Sequence, residues 1–351
     1  MKNIVFYGNF KTVNGVATHG QTSKSLNFYN ISKRCFANHN VTNFDTSTFK
    51  RHFLRDYLRL CNTLKKTDLL VIFPGSISSL KIVLRAARKG KNITIYYPIV
   101  GGWLADRIKN KKRIIRYLSN VKTFYPETFG LQKQLNDLGI LNTKVLPVFT
   151  TRKRVSFDSI LSNYNNKKHD LNYKFVYFGR ISIKKGIMLA IDAIKQLNTE
   201  FGFCCSLDFY GATQDDEDLS DFFASLNNYI NYHGVLPDDD IAIIGDYDFF
   251  LFPTFYEGEG FPATCVESFT YGTPIIASNW RYNSEIIKEG INGFLFDLQK
   301  NNLADVILNI FKQKYDIIEL KKKAYDCGLQ YLPEIAIKPF IDDMKEELKD
   351  E

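Results

Sequence analysis

The sequence predicts an α/β protein built from two doubly wound domains, each with a mostly parallel sheet. Short apolar runs of strand length alternate with amphipathic helical stretches along most of the 351 residues, a pattern typical of parallel sheets covered by helices on both faces. A polar segment, residues 151–172, interrupts the alternation and is interpreted as an interdomain linker. We therefore expect one domain over residues 1–168, a second over 169–335 and a terminal segment over 336–351, which is a reasonable division for a chain of this length.

The elements follow one another in the order strand, helix, strand. In the first half, strands are predicted at residues 4–7, 69–73, 93–97, 121–124 and 144–146, and helices at 21–35, 51–64, 78–88, 103–118 and 128–138. In the second half, strands are predicted at residues 174–178, 203–210, 230–232, 249–252 and 274–277, with a long helix ending at residue 197 and another over 261–272. In such open sheets ligands bind beyond the carboxyl ends of the strands.

Charge is distributed very unevenly along the chain. The net charge is +8, but residues 1–150 carry 25 Lys and Arg against 6 Asp and Glu, a net +19, whereas the remainder carries 21 against 32, a net −11. A strongly basic half indicates a polyanionic partner, which is a nucleic acid, an anionic membrane surface or an acidic substrate. Nucleic acid is the least favoured of these because no recognition motif accompanies the charge.

Cysteines and apolar runs exclude several classes of protein. The six cysteines include no C-x2-C pair and no histidine at metal-ligand spacing, so neither a zinc site nor a disulfide framework is predicted. Reduced thiols fit a cytoplasmic protein. The first apolar run, residues 4–7, is too short for the core of a signal peptide, and no later run approaches the roughly 20 residues needed to span a bilayer.

The stretch over residues 246–278 is the most informative part of the chain. An apolar strand ends before a loop that contains Glu259 and Gly260, and a helical pattern opens at Phe261 and Pro262 with Glu267 two turns further on. A helix start offers unpaired N–H groups and partial positive charge, which suit a phosphate or diphosphate. The carboxylates on either side suit hydroxyl groups instead. A ligand that carries both a diphosphate and many hydroxyl groups is a nucleotide sugar.

These residues resemble a known family signature. Glu259 and Glu267, in the setting E-G-F-P-x4-E followed by G-T-P-I-I-A, resemble the E-x7-E motif of the retaining family 4 glycosyltransferases of GT-B fold. The resemblance implies two Rossmann-like domains facing a central cleft, with a terminal helix that crosses back to the first domain. It also implies that Arg180 and Lys185, in a G-R-x4-K-G element, clamp the leaving diphosphate, and that the loop at Val235 contacts the nucleobase through backbone groups.

The acceptor side is less clearly defined. The resemblance places a glycine pair in the loop after the first strand, where this chain has Asn14 and Gly15, and only Gly15 is carried over as a donor-binding residue. The candidate residues on the acceptor side are Asn14, His19, which lies near this loop, and Trp103. Trp103 opens the most basic helical stretch, which has Arg and Lys on one side and apolar residues on the other. Such a stretch suits a membrane interface, although its apolar side also suits packing on the sheet.

The sequence therefore predicts a glycosyltransferase that uses a nucleoside diphosphate sugar. Glu259, Arg180 and Lys185 are the predicted catalytic residues; Glu267 binds ribose; Gly260, Phe261 and Pro262 bind the diphosphate. No metal or other cofactor is expected, because protein cations take the role of the metal. Retention of configuration is implied by the resemblance alone. The expected acceptor is a saccharide, for example lipid-linked at the inner face of the cell membrane in bacterial surface polysaccharide assembly. A nucleotide-sugar epimerase and a non-catalytic partner subunit of the same fold remain alternatives.

Overall fold

The computed structural model describes residues 1–13, 16–17, 20–49, 51–90, 92–167, 172–300 and 302–349. The chain divides into two compact units, one formed by Met1–Val148 and Pro333–Glu351 and the other by Phe149–Leu332. The division therefore falls about 20 residues before the expected one at residue 168, and the terminal residues belong to the first unit.

The first unit contains a five-stranded parallel sheet. Strands β1 to β7 span Asn3–Gly8, Thr12–Val13, Val16–Ala17, Asn40–Asp45, Leu69–Ile72, Thr94–Pro98 and Val121–Tyr125. Helices α1 to α6 span Gly20–Cys35, Phe53–Leu64, Ile77–Ala87, Leu104–Ile108, Lys112–Leu118 and Phe129–Asp137. The sheet order is β4-β1-β5-β6-β7, and β2 pairs with β3 in a separate antiparallel hairpin. All neighbouring strands in the large sheet are parallel.

Several details of the first unit differ from the sequence predictions. Strand β4 was not predicted, because it lies at the sheet edge and buries only Val41 and Phe44, so it lacks a continuous apolar run. The strand predicted at residues 144–146 is replaced by an isolated bridge between Thr143 and Phe124. The single helix predicted at residues 103–118 is two helices, α4 and α5, which are separated at residues 109–111.

The end of the chain packs on the sheet of the first unit. Helices α14 and α15 span Pro333–Ala336 and Lys338–Leu348. The ring of Phe340 contacts Phe28 of α1 edge to face, with 5.1 Å between ring centroids. The hydroxyl of Tyr125 donates to Asp343, and Thr94 donates to Glu347 at 2.7 Å. These contacts place α1 and α15 on the same face of the sheet.

The second unit has its own parallel sheet of six strands. Strands β8 to β13 span Asn172–Phe178, Cys204–Tyr210, Ile230–Tyr232, Phe249–Phe252, Ile275–Ser278 and Gly293–Phe296, in the order β10-β9-β8-β11-β12-β13. Helices α7 to α13 span Phe157–Lys167, Ile187–Thr199, Ser220–Ala224, Ala263–Thr270, Asn283–Ile286, Leu303–Lys312 and Ile317–Cys327. Three 3₁₀ segments span Ile183–Lys185, Asp238–Asp246 and Gly328–Tyr331. The two Rossmann-like sheets predicted from the sequence are confirmed.

The interpretation of residues 151–172 as a linker is wrong for much of its length. Helix α7 occupies the segment and buries Ile160 and Tyr164. The hydroxyl of Tyr164 hydrogen-bonds the carboxylate of Asp248, which is itself buried and also accepts a bond from Lys174 N at 2.7 Å. The polar composition of the segment hid these two inward-facing side chains, since residues 158, 159, 162, 163, 165 and 166 are exposed and polar.

Candidate active site

Two loops meet at the carboxyl edge of the sheet in the second unit. Strands β8 and β11 are neighbours, so the turn after β8 lies beside the loop after β11. The amide of Phe255 donates to the carbonyl oxygen of Lys184 at 2.9 Å. Gly186 has a φ of +78°, and a Cβ at this position would lie 2.0 Å from the carbonyl oxygen of Pro253. Only glycine allows the two backbones to approach this closely.

Lys185 and Glu259 form an ion pair where these loops meet. Lys185 Nζ lies 2.6 Å from Glu259 Oε2, and the hydroxyl of Thr254 donates to the same oxygen at 2.9 Å. Glu259 is only 6% exposed. Lys185 also lies 5.1 Å from the ring centroid of Tyr256. Within the described part of the chain both hydrogen bonds to Glu259 go to Oε2, so Oε1 retains its capacity to accept from a ligand hydroxyl.

The start of α10 lies next to this pair. Gly260 and Pro262 are buried and Phe261 is half-buried, and Pro262 occupies the N-cap position without a side-chain cap for the helix amides. The first amides of a helix have no partner within the helix, so they remain donors for an anionic group. The predicted strand, loop and helix arrangement is therefore present, with Glu259 in the loop and the helix beginning at Ala263.

Glu267 lies within α10 and has a partner that the sequence analysis missed. Arg152 Nε donates to Glu267 Oε1 at 2.6 Å, and the two side chains are 24% and 13% exposed. Arg152 belongs to the basic run at the start of the second unit, which was interpreted only as linker. Its charge was a signal, but its pairing with a residue 115 positions away depends on the fold.

Arg180 lies in the turn directly after β8. Its guanidinium donates to Gln214 Oε1 at 2.8 Å, and its carbonyl oxygen accepts from the hydroxyl of Tyr177 at 2.7 Å. The backbone before it approaches α10, since a Cβ added to Gly179 would lie 3.8 Å from Thr264 Cγ2. The exposed Arg180 is thus placed near the helix start by its backbone, while its side chain contacts Gln214.

A second missed residue, Glu217, fixes the turn that carries Lys185. Its two carboxylate oxygens accept from the hydroxyl of Ser182 at 2.7 Å and from the amide of Ile183 at 2.6 Å. This holds the backbone of the 3₁₀ segment Ile183–Lys185 in place. A cation that is pre-oriented in this way stabilises developing charge without further rearrangement.

The remaining predicted site residues are distributed as follows. Val235 is 65% exposed. It follows Gly234, whose carbonyl oxygen accepts a hydrogen bond from Gly211 N at 2.7 Å, at the carboxyl edge of the sheet in the second unit. Trp103 is half-buried at the start of α4 in the first unit. Asn14, Gly15 and His19 lie outside the described residues.

Neither a thiolate nor a metal cluster is found at the described part of the site. Burial, together with the nearby charge of Glu259, raises the pKa of the Cys265 thiol well above its usual range, so this cysteine stays protonated at neutral pH. Among the described residues, no three His, Cys, Asp or Glu side chains are grouped as a metal site requires. The same residues include no helix long and apolar enough to cross a bilayer.

If Glu267 binds ribose, as the sequence predicts, Glu267→Ala should weaken nucleotide binding by about 1–3 kcal/mol, because an acceptor for the ribose hydroxyls is lost. Arg152→Ala should weaken binding less, since it only frees the carboxylate that it orients. The double variant should then bind about as weakly as Glu267→Ala alone. Isothermal titration with nucleoside diphosphates measures all three. Additive effects would show that Arg152 does not act through Glu267.

Comparison with known proteins shows a similarity to glycosyltransferases. Residues 172–313 match the model described as glycosyl transferases group 1, and they contain the Lys185–Glu259 pair and the whole of α10. The match therefore covers the sheet of the second unit and the loops that carry Lys185 and Glu259.

Two curated bacterial proteins and two solved structures show the extent of the similarity. The chain is 24% identical over 271 residues to an uncharacterized 41.2 kDa protein in the cps region of Klebsiella pneumoniae, and the aligned residues cover 72% of each chain. It is 27% identical over 190 residues to the capsular polysaccharide biosynthesis glycosyltransferase CapH of Staphylococcus aureus, half of each chain. Anabaena Alr3699/HepE in complex with UDP and glucose superposes with a TM-score of 0.73 and 16% identity, over 99% of this chain and 100% of that one.

The structural similarity extends beyond residues 172–313. The lipopolysaccharide outer core galactosyltransferase WaaB superposes with a TM-score of 0.71 and 18% identity, over 98% of this chain and 99% of that one. At such identities the superpositions establish the fold. The GT-B fold predicted from the sequence is therefore confirmed.

Proposed function

We propose that this chain is a retaining glycosyltransferase that moves a sugar from a nucleoside diphosphate sugar to an acceptor hydroxyl in the assembly of a bacterial surface polysaccharide. The observation that carries the proposal is the Lys185–Glu259 pair, 2.6 Å apart beside the start of α10. A buried carboxylate beside a cation and a helix start provides for both a sugar and a diphosphate. The names of the capsular relatives support the polysaccharide assignment.

In the proposed reaction the bond between the anomeric carbon and the diphosphate oxygen breaks as the acceptor oxygen forms a bond to the same carbon. The acceptor proton passes to the departing phosphate oxygen, on the same face of the sugar, as the family resemblance implies. Lys185, Arg180 and the amides at the start of α10 stabilise the charge that develops on the diphosphate. Glu259 orients the sugar through its hydroxyls, and Glu267 binds the ribose.

The proposed reaction needs no metal ion, since Lys185 and Arg180 carry the neutralising charge. Transfer should continue in EDTA, and Lys185→Ala should lower turnover by about one hundredfold or more, the scale for losing one transition-state donor. Lys184→Ala is the matched control, because Lys184 is exposed on the neighbouring position and should retain activity. A strict requirement for magnesium or manganese, or equal loss in both variants, would contradict the role of Lys185.

The main alternative is a nucleotide-sugar epimerase that uses the same diphosphate site. An assay of nucleoside diphosphate release distinguishes the two, because a transferase releases it in proportion to the acceptor saccharide supplied, whereas an epimerase interconverts sugars without acceptor. A non-catalytic partner subunit would release none in either condition. Retention is tested by the anomeric configuration of the product in NMR spectra.

We also propose that the chain works peripherally at the anionic inner face of the cell membrane on a lipid-linked saccharide. The net charge of +19 over residues 1–150 supports this placement, because each basic residue near an anionic bilayer contributes about 1 kcal/mol to binding.

A further inference from the structure

Helix α2 carries an apolar stripe on its outer face. Its inner face is buried through Leu60, Cys61 and Leu64. On the outer face Leu54 is 76% exposed and Leu58 is 62% exposed, and these two side chains are neighbours because they are one helical turn apart. The ring of Phe53, 47% exposed at the helix start, is not part of this stripe, because it packs against Phe49 and Tyr57. Single exposed leucines are common on soluble proteins, but a contiguous stripe of large side chains marks an interaction surface.

Basic side chains frame this stripe. Arg51, Arg55 and Arg59 are exposed on or beside the same helix. The only acidic residue of α2, Asp56, is 2% exposed and accepts bonds from Thr48 and Arg55. Because Asp56 pairs with Arg55, the positive charge beside the stripe is carried mainly by Arg51 and Arg59, next to the large apolar side chains of the outer face. This is the composition of helices that lie in the headgroup region of a bilayer.

The neighbouring helices extend the positive charge. Lys89 Nζ, after α3, lies 5.3 Å from the ring centroid of Tyr57 in α2, and Arg88 lies 5.5 Å from that of Tyr117 in α5. Helices α2, α3 and α5 are thus adjacent on one side of the sheet. Their exposed cations form one basic face together with the stripe. Its further members come from α3, from the two residues that follow α3 and from α5: Arg85, Arg88, Lys89, Lys112, Arg113 and Arg116.

The apolar residues of the basic stretch that begins at Trp103 lie inside the domain. Leu104 and Ile108 of α4, and Ile114 and Leu118 of α5, are all buried, while the charges between them are exposed. This segment can supply charge to a membrane surface. The apolar insertion must come from elsewhere, and α2 has the exposed side chains for it.

We infer that the outer face of α2 docks on an anionic lipid bilayer, with Leu54 and Leu58 inserted between headgroups and the surrounding Arg and Lys side chains against lipid phosphates. A second copy of the chain docked symmetrically through the same face is a poor occupant, because it would bring an equal positive charge to that face. A bilayer supplies both an apolar interior and negative charge. This deepens the membrane placement proposed above, and its test contains no sugar donor, so it succeeds or fails independently of the transferase activity.

The test is co-sedimentation of the full chain with vesicles of phosphatidylcholine alone or mixed with phosphatidylglycerol. The wild type should bind only the anionic vesicles, and less as salt is raised. The double variant Leu54→Ser/Leu58→Ser should lower the partition coefficient at least about tenfold without changing any charge. Replacing Arg85, Lys112 and Arg113 with glutamine should also lower it at least about tenfold. All these side chains are exposed, so the variants should keep the thermal midpoint of the wild type.

Two control variants match these changes. Leu141→Ser/Leu329→Ser removes two leucines that are 74% and 44% exposed away from α2, and it should bind as the wild type does. Replacing exposed Lys288, Lys300 and Lys312 of the second unit with glutamine matches the loss of charge. The proposal would be overturned if the wild-type protein did not bind anionic vesicles, or if the Leu54→Ser/Leu58→Ser variant bound them as the wild type does. A dimer in size-exclusion chromatography that the same variant abolishes, without vesicle binding, would assign the stripe to a protein interface instead.

Discussion

Glu259→Ala is expected to abolish sugar transfer while leaving nucleoside diphosphate binding nearly intact. The carboxylate is 6% exposed, is held by Lys185 and Thr254 through Oε2, and lies in the loop that leads into α10. In the proposed complex its partner is the sugar, whereas the diphosphate is bound by cations and helix amides. Loss of an interaction with the reacting sugar therefore removes turnover and spares nucleotide affinity.

Transfer assays and isothermal titration with nucleoside diphosphates together measure this separation. Glu257→Ala is the matched control, because Glu257 is an exposed carboxylate two positions earlier in the same loop and should retain both activities. Turnover of the Glu259 variant at the wild-type rate would show that the pair serves only to stabilise the loop.

Lys24→Met is expected to destabilise the first unit by about 3–5 kcal/mol, the scale for removing one partner of a buried ion pair. Lys24 Nζ lies 2.7 Å from Glu127 Oε1 and donates to the carbonyl oxygen of Ile99 at 2.7 Å. The second oxygen of Glu127 accepts from Gly101 N at 3.1 Å. Both side chains are nearly inaccessible, at 9% and 3%, so the variant removes the lysine charge that neutralises the buried carboxylate of Glu127.

Guanidinium unfolding followed by circular dichroism measures the effect on the transition of the first unit. Lys24→Met/Glu127→Gln should recover part of the loss, because the two changes are not additive for residues in contact. Lys33→Met, at an exposed position of the same helix, should change the free energy of unfolding little. A loss below about 1 kcal/mol for Lys24→Met would mean that water reaches the carboxylate.

The fold was predictable because its strands are local, apolar and regularly spaced. Strand β11, with Phe249–Phe252 fully buried, and strand β12 could be placed from a few residues of sequence. Edge strand β4 was not predicted, because half of its side chains face solvent. The helix at Phe157–Lys167 was not predicted, because among its described side chains only Ile160 and Tyr164 are buried.

The site was predictable to the extent that it lies in one continuous stretch. Glu259 and the start of α10 follow each other along the chain, so their proximity needed no tertiary information. Arg152 was missed because it reaches Glu267 only through the fold, and nothing in its local sequence indicates a carboxylate partner. The stripe on α2 was missed for a related reason, since periodicity does not show which apolar side chains of a helix face outward.

Binding of nucleoside diphosphates by the second unit is the central claim of this account. Thermal unfolding with UDP, GDP and ADP tests it most directly, because no acceptor has to be known. One of these ligands at a hundred times its dissociation constant should stabilise the wild type by about 2.7 kcal/mol, and Lys185→Ala should reduce that shift at the same concentration. The account would be contradicted if none of the three raised the unfolding temperature of the wild type, or if the Lys185 variant responded as the wild type does.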